Sequence, residues 1–140
     1  MTGPGEAQVA VDYQVLAEFR FQIRKFLRFS EEAARAAGLE PQQHQFLLAI
    51  RGLPRAAEPT VSELAARLQI RHHSVVELVD RLEDRHLVLR SRSERDRRKV
   101  LIRLTPEGER LLRSLEASHR EELASAGPAL LRALSALLGR

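Results

Sequence analysis

The stretch from Thr60 to Thr105 constrains the fold of this chain more than any other part. It opens with Thr60 three residues before a glutamate, the spacing of a capping box that satisfies the first amides of a helix. Apolar residues then recur at helical spacing in two segments, Val61–Leu68 and Val75–Leu82. The second helix also includes His72 and His73, on its other face, so that only Gln69-Ile70-Arg71 lies between the two helices, which is short enough to be a turn. The stretch therefore predicts a helix-turn-helix.

A basic β-hairpin is predicted after the second helix. Leu87–Leu89 and Val100–Leu104 are apolar and partly β-branched, so both segments are predicted to be strands. From Arg85 to Arg103 there are eight Lys or Arg and two acidic residues, a net charge of +6, whereas the whole chain carries +4 and the rest therefore −2. A concentration of positive charge beside one helix is typical of nucleic-acid binding. We interpret the pattern as a winged helix, and the alternative is a solvated charged hairpin on an ordinary domain.

Several residues of this stretch resemble the signature of a known family. Asp96-Arg97-Arg98, followed by Leu104-Thr105 and Gly108, is similar to the D-x-R…LT-x-x-G signature of the MarR family of bacterial transcription regulators. The segment Leu78–Glu83 resembles the end of the recognition helix in that family. The resemblance covers nearly the whole chain and implies a homodimeric winged-helix repressor that binds pseudo-palindromic duplex DNA.

The sequence departs from that family's pattern at a few positions. Many members have Gly where this chain has His86, at a helix end in the left-handed conformation, which His tolerates less well than Gly. Many members also carry hydroxyl or basic residues where this chain has Val76 and Glu77. These differences concern the reading of bases rather than the fold.

Further helices are predicted on both sides of the winged helix. A long helical pattern runs from about Val9 to Ala37 and ends at Gly38, and a second helix is predicted from about Pro41 to Arg51. After the hairpin, Thr105-Pro106-Glu107 combines a hydroxyl N-cap, a proline at the first helical position and an acid in the first turn. Further along the chain, Gly127-Pro128 predicts a break before a last amphipathic helix.

The predicted fold class is mainly α with a small β-hairpin wing. We predict a single domain over residues 1–140, with the winged helix-turn-helix in 41–104 and flanking N- and C-terminal dimerisation helices in 9–37 and 105–140. The first predicted helix is apolar on more than one side, and such a helix needs more than one neighbour. The alternative is an intramolecular core, but a subunit interface explains the excess of apolar residues better, and the resemblance implies the same. The segment from Met1 to about Ala7 is expected to be disordered.

The predicted DNA-binding residues lie at the start of the second helix of the motif and on the hairpin tip. We expect that helix to enter the major groove and the wing arginines to reach phosphates and the adjacent minor groove. By resemblance, Arg98 is the candidate for minor-groove insertion, and Asp96 is the candidate for the anion that holds the wing arginines in place. The predicted set is Arg71, His72, His73, Ser74, Glu77, Arg81, Arg95, Asp96, Arg97 and Arg98.

Catalysis and a bound cofactor are not predicted. The sequence contains no nucleophile elbow, Walker loop or dinucleotide fingerprint, so we do not expect an enzyme. Because there is no Cys, thiolate metal sites and disulfides are excluded. His44 and His119 are the candidate metal ligands, since they could meet where the DNA-binding and dimer regions join. The alternative is two ordinary surface histidines and no metal.

The predicted function is a sequence-specific duplex-DNA-binding transcriptional regulator, a ligand-released repressor that acts as a homodimer on a pseudo-palindromic operator. The alternatives are a winged-helix protein-interaction module and a zinc-responsive regulator. A small-molecule effector, phenolic or otherwise lipophilic, is a further expected partner. No apolar run is long enough to span a membrane, and Met1–Gln8 lacks the basic start and apolar core of a signal peptide, so a cytoplasmic location without membrane contact is expected.

Overall fold

The computed structural model describes residues 12–140, and this part of the chain forms five α-helices and a two-stranded antiparallel hairpin. The elements are α1 (Tyr13–Ala36), α2 (Pro41–Arg51), α3 (Val61–Leu68), α4 (His72–Asp84), β1 (Val88–Arg92), β2 (Val100–Leu104) and α5 (Pro106–Leu137). The predicted mainly α fold with a β-hairpin wing is confirmed. The predictions for residues 1–11, including the disordered start and the first turn of the first helix, lie outside the described residues. Within residues 12–140, none of the helices has the length and apolar character needed to cross a bilayer.

The described chain divides into two compact units. The central unit comprises Glu31–Ser118, and the terminal unit comprises the described residues up to Ser30 together with His119–Arg140. The winged helix lies entirely within the central unit, whereas the first part of α1 and the last part of α5 belong to the terminal unit.

Local sequence signals determine most helix ends in the central unit. Gly38 follows α1 with a positive φ of 82°, and α2 begins at Pro41 as predicted. At the start of α3 the Thr60 hydroxyl accepts the amide of Glu63 at 3.1 Å, also as predicted. The return bond of a capping box is not needed there, because the Thr60 amide donates to the Glu58 carbonyl at 2.8 Å. Only half of the predicted capping box therefore forms at this helix.

The core of the central unit orients α4. Val75, Val79 and Leu82 are almost completely buried on one face of this helix, and they pack with Phe46 of α2 and Leu64 of α3. The opposite face of α4 is left at the surface, as the apolar spacing in the sequence predicts.

The hairpin is longer on its first strand than predicted. Its register pairs Val88 with Leu104 and Arg92 with Val100, so β1 continues past the predicted end at Leu89. Backbone pairing with β2 is independent of side-chain polarity, which is why the polar residues after Leu89 join the strand. The Ile102 amide also donates to the carbonyl of Pro59 at 2.9 Å, which attaches the segment before α3 to β2.

The start of α5 packs closely against the segment that follows α4. The Thr105 hydroxyl accepts the Gly108 amide at 3.0 Å, which confirms the predicted N-cap, and donates to the His86 carbonyl at 2.7 Å. A Cβ atom on Gly108 would lie 2.2 Å from the backbone oxygen of Leu87. The glycine of the LT-x-x-G signature is therefore needed at this contact, because any side chain would overlap the backbone of Leu87.

The predicted break at Gly127-Pro128 is wrong. The chain continues as one helix from Pro106 to Leu137, with Pro128 inside it. A proline removes one amide donor and opposes the preceding turn, but the turns on either side retain their own hydrogen bonds. The helix therefore continues through Gly127-Pro128.

The terminal unit exposes several large apolar side chains. Tyr13 is 76% exposed, Leu131 64% and Leu138 61%, and Phe21 and Leu27 are each about half exposed. These large apolar side chains of the terminal unit are therefore in contact with solvent in the single chain.

Candidate nucleic-acid interface

The predicted recognition residues share the outward side of α4. Arg71 is its N-cap, with an extended backbone, and His72, His73, Glu77 and Arg81 are all exposed. The last three of these follow one another at intervals of four residues, so they line one stripe of the helix. Their neighbour Ser74 is half-buried. Each of the six candidates thus lies either at the N-terminal end of α4 or along this one exposed stripe.

The wing tip is an ordered turn built around Ser93. Its hydroxyl is buried, donates to the Glu58 carboxylate at 3.0 Å, and accepts the amides of Arg95 and Asp96 at 3.2 and 3.3 Å. Lys99, at the other end of the turn, pairs with the same Glu58 carboxylate at 3.5 Å. These contacts tie the tip to the segment before α3, and sequence reasoning identified neither Ser93 nor Glu58.

Asp96 contacts one of the wing arginines directly. Its carboxylate accepts both the amide and the Nε–H of Arg98 at 3.1 Å. The side-chain hydrogen bond from Arg98 lowers the pKa of Asp96, and the backbone bond acts in the same direction. The side chain of Arg98 is nevertheless 92% exposed, so it is orientated without being enclosed.

Arg95 and Arg97 present their side chains to solvent on the same turn. Both residues are exposed, and within residues 12–140 neither guanidinium has an ion-pair partner. The Arg97 backbone carbonyl accepts a hydrogen bond from Arg92 at 2.9 Å, which fixes its position in the turn. The wing tip therefore carries a cluster of positively charged side chains that project from a single turn, namely Arg95, Arg97 and Arg98.

Arg90 joins the wing to the recognition helix. From β1, its guanidinium donates to the carboxylates of Asp80 and Glu83, both on α4, and its amide also donates to Glu83 at 3.3 Å. The hydrogen bond to Asp80 makes the largest contribution to a raised pKa of Arg90, and the charge of Glu83 adds to it. Nothing in the sequence spacing signals this contact, because the three residues meet only once the hairpin has folded back onto the helix.

Not all of the basic charge in the hairpin region is available to a partner. Arg90 is shared between two carboxylates, Lys99 pairs with Glu58, and Arg85 donates to the Gly38 carbonyl at 2.6 Å. The net charge of +6 that the sequence places there therefore overstates the charge that projects from the surface.

The two candidate metal ligands are both buried. His44 belongs to the central unit, where its Nε2 lies 2.7 Å from the Glu116 carboxylate. His119 belongs to the terminal unit, where its Nε2 lies 2.8 Å from the Ser30 hydroxyl and its ring is nearly perpendicular to the rings of Phe26 and Phe29. The alternative of two ordinary surface histidines is wrong, and a metal-binding role stays a prediction.

Comparisons with known proteins agree with this geometry. Residues 37–99 match the MarR family. A putative transcriptional regulatory protein for the hcr operon of Thauera aromatica is 30% identical over 97 residues, which are 69% of this chain and 57% of that protein. The HTH-type transcriptional repressor MdtR of Bacillus subtilis is 30% identical over 102 residues, which are 73% of this chain and 63% of MdtR. The chain thus spans about three fifths of the length of these two relatives.

A solved structure shows the same fold. A mutant of MepR from S. aureus, bound to an oligodeoxyribonucleotide, superposes with a TM-score of 0.67 at 21% identity, covering 91% of this chain and 99% of that one. The names of the two relatives are those of transcriptional regulators and not of enzymes. The helix-turn-helix, the hairpin with its Asp96–Arg98 contact and these matches together show that the chain belongs to the MarR family of winged-helix transcriptional regulators.

Proposed function

We propose that this protein is a sequence-specific duplex-DNA-binding regulator that represses transcription as a homodimer and is released by a small ligand. The observation that carries the proposal is the arrangement of the exposed face of α4 beside the arginine cluster of the wing, with Arg90 connecting the two. An exposed helix face and a positively charged wing held at a defined separation suit the successive grooves of a duplex.

The start of α4 is suited to the major groove. The helix has no acidic residue in its first turn, and its N-cap side chain makes no capping hydrogen bond. The positive end of the helix dipole and the uncapped amides favour a nearby phosphate. In this proposal Arg71, His72, His73 and Ser74 approach the bases and phosphates first, Glu77 follows one turn later, and Arg81 lies nearer the backbone.

The wing provides the second contact. Arg95, Arg97 and Arg98 leave one ordered turn, and Asp96 limits the freedom of Arg98. Ordering the side chain before binding lowers the entropy cost of placing it in a groove. A narrow A·T-rich minor groove concentrates negative potential and is the expected position of Arg98.

The dimer is proposed from the exposed apolar residues of the terminal unit. A second copy is the partner expected to cover Tyr13, Leu131 and Leu138, because closed homodimers are the commonest soluble assemblies. Light scattering at micromolar concentration should give twice the chain mass of 15.9 kDa. A monomer at that concentration would remove the dimer from the proposal.

Selection of binding sites from a randomised duplex library tests the DNA-binding role. We expect enriched sites with two related half-sites whose centres lie about one helical turn apart. The logarithm of the affinity should fall with the logarithm of the salt concentration by about 0.9 per phosphate contacted. If no sequence is enriched, the protein-interaction module is the better interpretation.

Two variants separate positioning from base reading. Arg98→Ala should weaken binding to every site, most at A·T-rich flanks, whereas Arg113→Ala removes the same charge from an exposed position on α5 and serves as the matched control. Glu77→Gln should instead relax the preference at one base pair per half-site, by about 1–3 kcal/mol, since a carboxylate can accept from cytosine. An unchanged preferred sequence would show that Glu77 is only a solvated helix residue.

A further inference from the structure

Given the DNA-binding role proposed above, on which this inference rests, we propose that Glu58 is a positioning residue for the wing. Its carboxylate holds the hairpin tip in the place from which the wing arginines meet DNA, although its own negative charge repels DNA. Glu58 lies in the segment between α2 and α3 and is not among the residues predicted to contact DNA.

The backbone around Glu58 is attached to the body of the central unit. The Glu58 carbonyl accepts the Thr60 amide at 2.8 Å, and the next carbonyl, that of Pro59, accepts the Ile102 amide at 2.9 Å. Ile102 is completely buried in the core. The position of the Glu58 carboxylate is therefore set by the core of the unit and not by the wing tip that it contacts.

Ser93 is the residue through which the tip is held at its first end. A hydroxyl can donate one hydrogen bond and accept two, and all three are made here. The Ser93 hydroxyl donates to Glu58 at 3.0 Å and accepts the amides of Arg95 and Asp96 at 3.2 and 3.3 Å. Because Ser93 is only 1% exposed, loss of the Glu58 carboxylate would leave its hydroxyl buried without that acceptor. The turn that carries the arginines would then have to rearrange.

Lys99 is held by the same carboxylate at the other end of the tip. Its Nζ lies 3.5 Å from the second oxygen of Glu58, its amide donates to the Asp96 carbonyl at 2.9 Å, and its carbonyl accepts the Ser93 amide at 3.0 Å. One carboxylate therefore contacts both ends of the turn. Without it, the charge of Lys99 would no longer be neutralised beside the arginine cluster and would repel it.

The two expected effects of Glu58 on DNA binding have opposite signs. A surface carboxylate near a duplex repels phosphates, so its removal alone should strengthen binding. If Glu58 positions the arginines, its removal should weaken binding, since their side chains must then be ordered during association. Glu94 is the matched control: it lies on the same tip, is exposed, and has no side-chain hydrogen bond or ion pair among residues 12–140.

Fluorescence anisotropy with a labelled duplex of alternating A·T sequence measures the sign. Glu94→Gln should strengthen binding by about twofold, because only a repelling charge is lost. Glu58→Gln, the same chemical change, should weaken binding by about two- to threefold, and Glu58→Ala, which also removes the acceptor of Ser93, by about five- to tenfold. The slope of the logarithm of the affinity against that of the salt concentration should become shallower in Glu58→Ala by about 0.9 per phosphate no longer contacted. A general loss of stability would not change that slope.

Amide hydrogen exchange in the free protein tests the positioning without DNA. The amides of Arg95 and Asp96 should exchange faster in both Glu58 variants than in the parent, and at the parent rate in Glu94→Gln. Circular dichroism verifies that each variant is folded, and Glu58→Gln carries both measurements if Glu58→Ala does not fold.

The outcomes separate this inference from the proposed function. A parent protein that binds no duplex would overturn the DNA-binding role and the positioning role together. A parent that binds, with Glu58→Gln strengthening the binding as much as Glu94→Gln does, would overturn the positioning role alone. Unchanged exchange of the Arg95 and Asp96 amides in the Glu58 variants would also overturn it.

Discussion

Replacing Gly108 by alanine should destabilise the central unit, although a Gly-to-Ala change within a helix normally stabilises it. The added Cβ would lie 2.2 Å from the oxygen and 3.1 Å from the carbon of the Leu87 carbonyl. Both atoms are backbone, and the Leu87 oxygen also accepts the Thr105 amide at 3.0 Å. Relief of the overlap therefore requires the start of α5 to move away from the hairpin.

The size of the effect follows from two opposing contributions. Overpacking of a well-packed site typically costs about 1–3 kcal/mol. Alanine is favoured over glycine in a helix by at most about 1 kcal/mol, and less in the first turn. We therefore expect Gly108→Ala to lower the free energy of unfolding by about 1–2 kcal/mol.

Urea unfolding followed by circular dichroism measures this difference, with Gly127→Ala as the control. Gly127 lies in the same helix, and a Cβ there would meet nothing within 4 Å, so its replacement should raise the free energy of unfolding by up to about 1 kcal/mol. Both variants must be compared at one protein concentration, since association would make stability depend on it. A Gly108→Ala protein as stable as the parent would refute the spatial argument. A loss of stability at Gly127 as well would indicate that a second copy contacts that position.

Three further changes test other features of the chain. His86→Gly should raise the free energy of unfolding by about 0.5–1 kcal/mol in the urea assay, because His86 has a φ of 60° that glycine adopts without strain; a less stable variant would contradict this. Pro128→Ala should stabilise the protein by up to about 3 kcal/mol, since it restores an amide donor inside a continuous helix, whereas no gain would favour the predicted break. The pKa of Asp96 is lowered in the folded state. The contribution of its ionised carboxylate to the stability of the fold is therefore complete above the ordinary carboxylate pKa of about 4, and it is lost as the pH falls through the lower pKa of the folded state. The Nε–H resonance of Arg98 should follow that titration and should lose it in Asp96→Asn, and a signal unaffected by acid would exclude the contact in solution.

The features that the sequence by itself determined are the ones with local causes. The starts of α2 and α5 and the end of α1 were predictable because proline, a hydroxyl N-cap and a left-handed glycine act within a few residues of one another. The outward face of α4 was predictable for a similar reason, since helical periodicity decides which side is apolar. The left-handed backbone at His86 was predictable as well, because the family pattern has glycine at this helix end, and the positive φ of His86 confirms it.

The features that only the tertiary structure decided depend on residues distant in sequence. Arg90 reaches Asp80 and Glu83 because the hairpin folds back beside α4, and Ser93 meets Glu58 across 35 residues. Composition counts all of the wing charges alike, whereas these contacts decide which of them remain available to a partner. The continuity of α5 through Pro128 has a different cause. A proline predicts where a helix can break, but the balance between one lost hydrogen bond and the turns retained on either side decides whether it does.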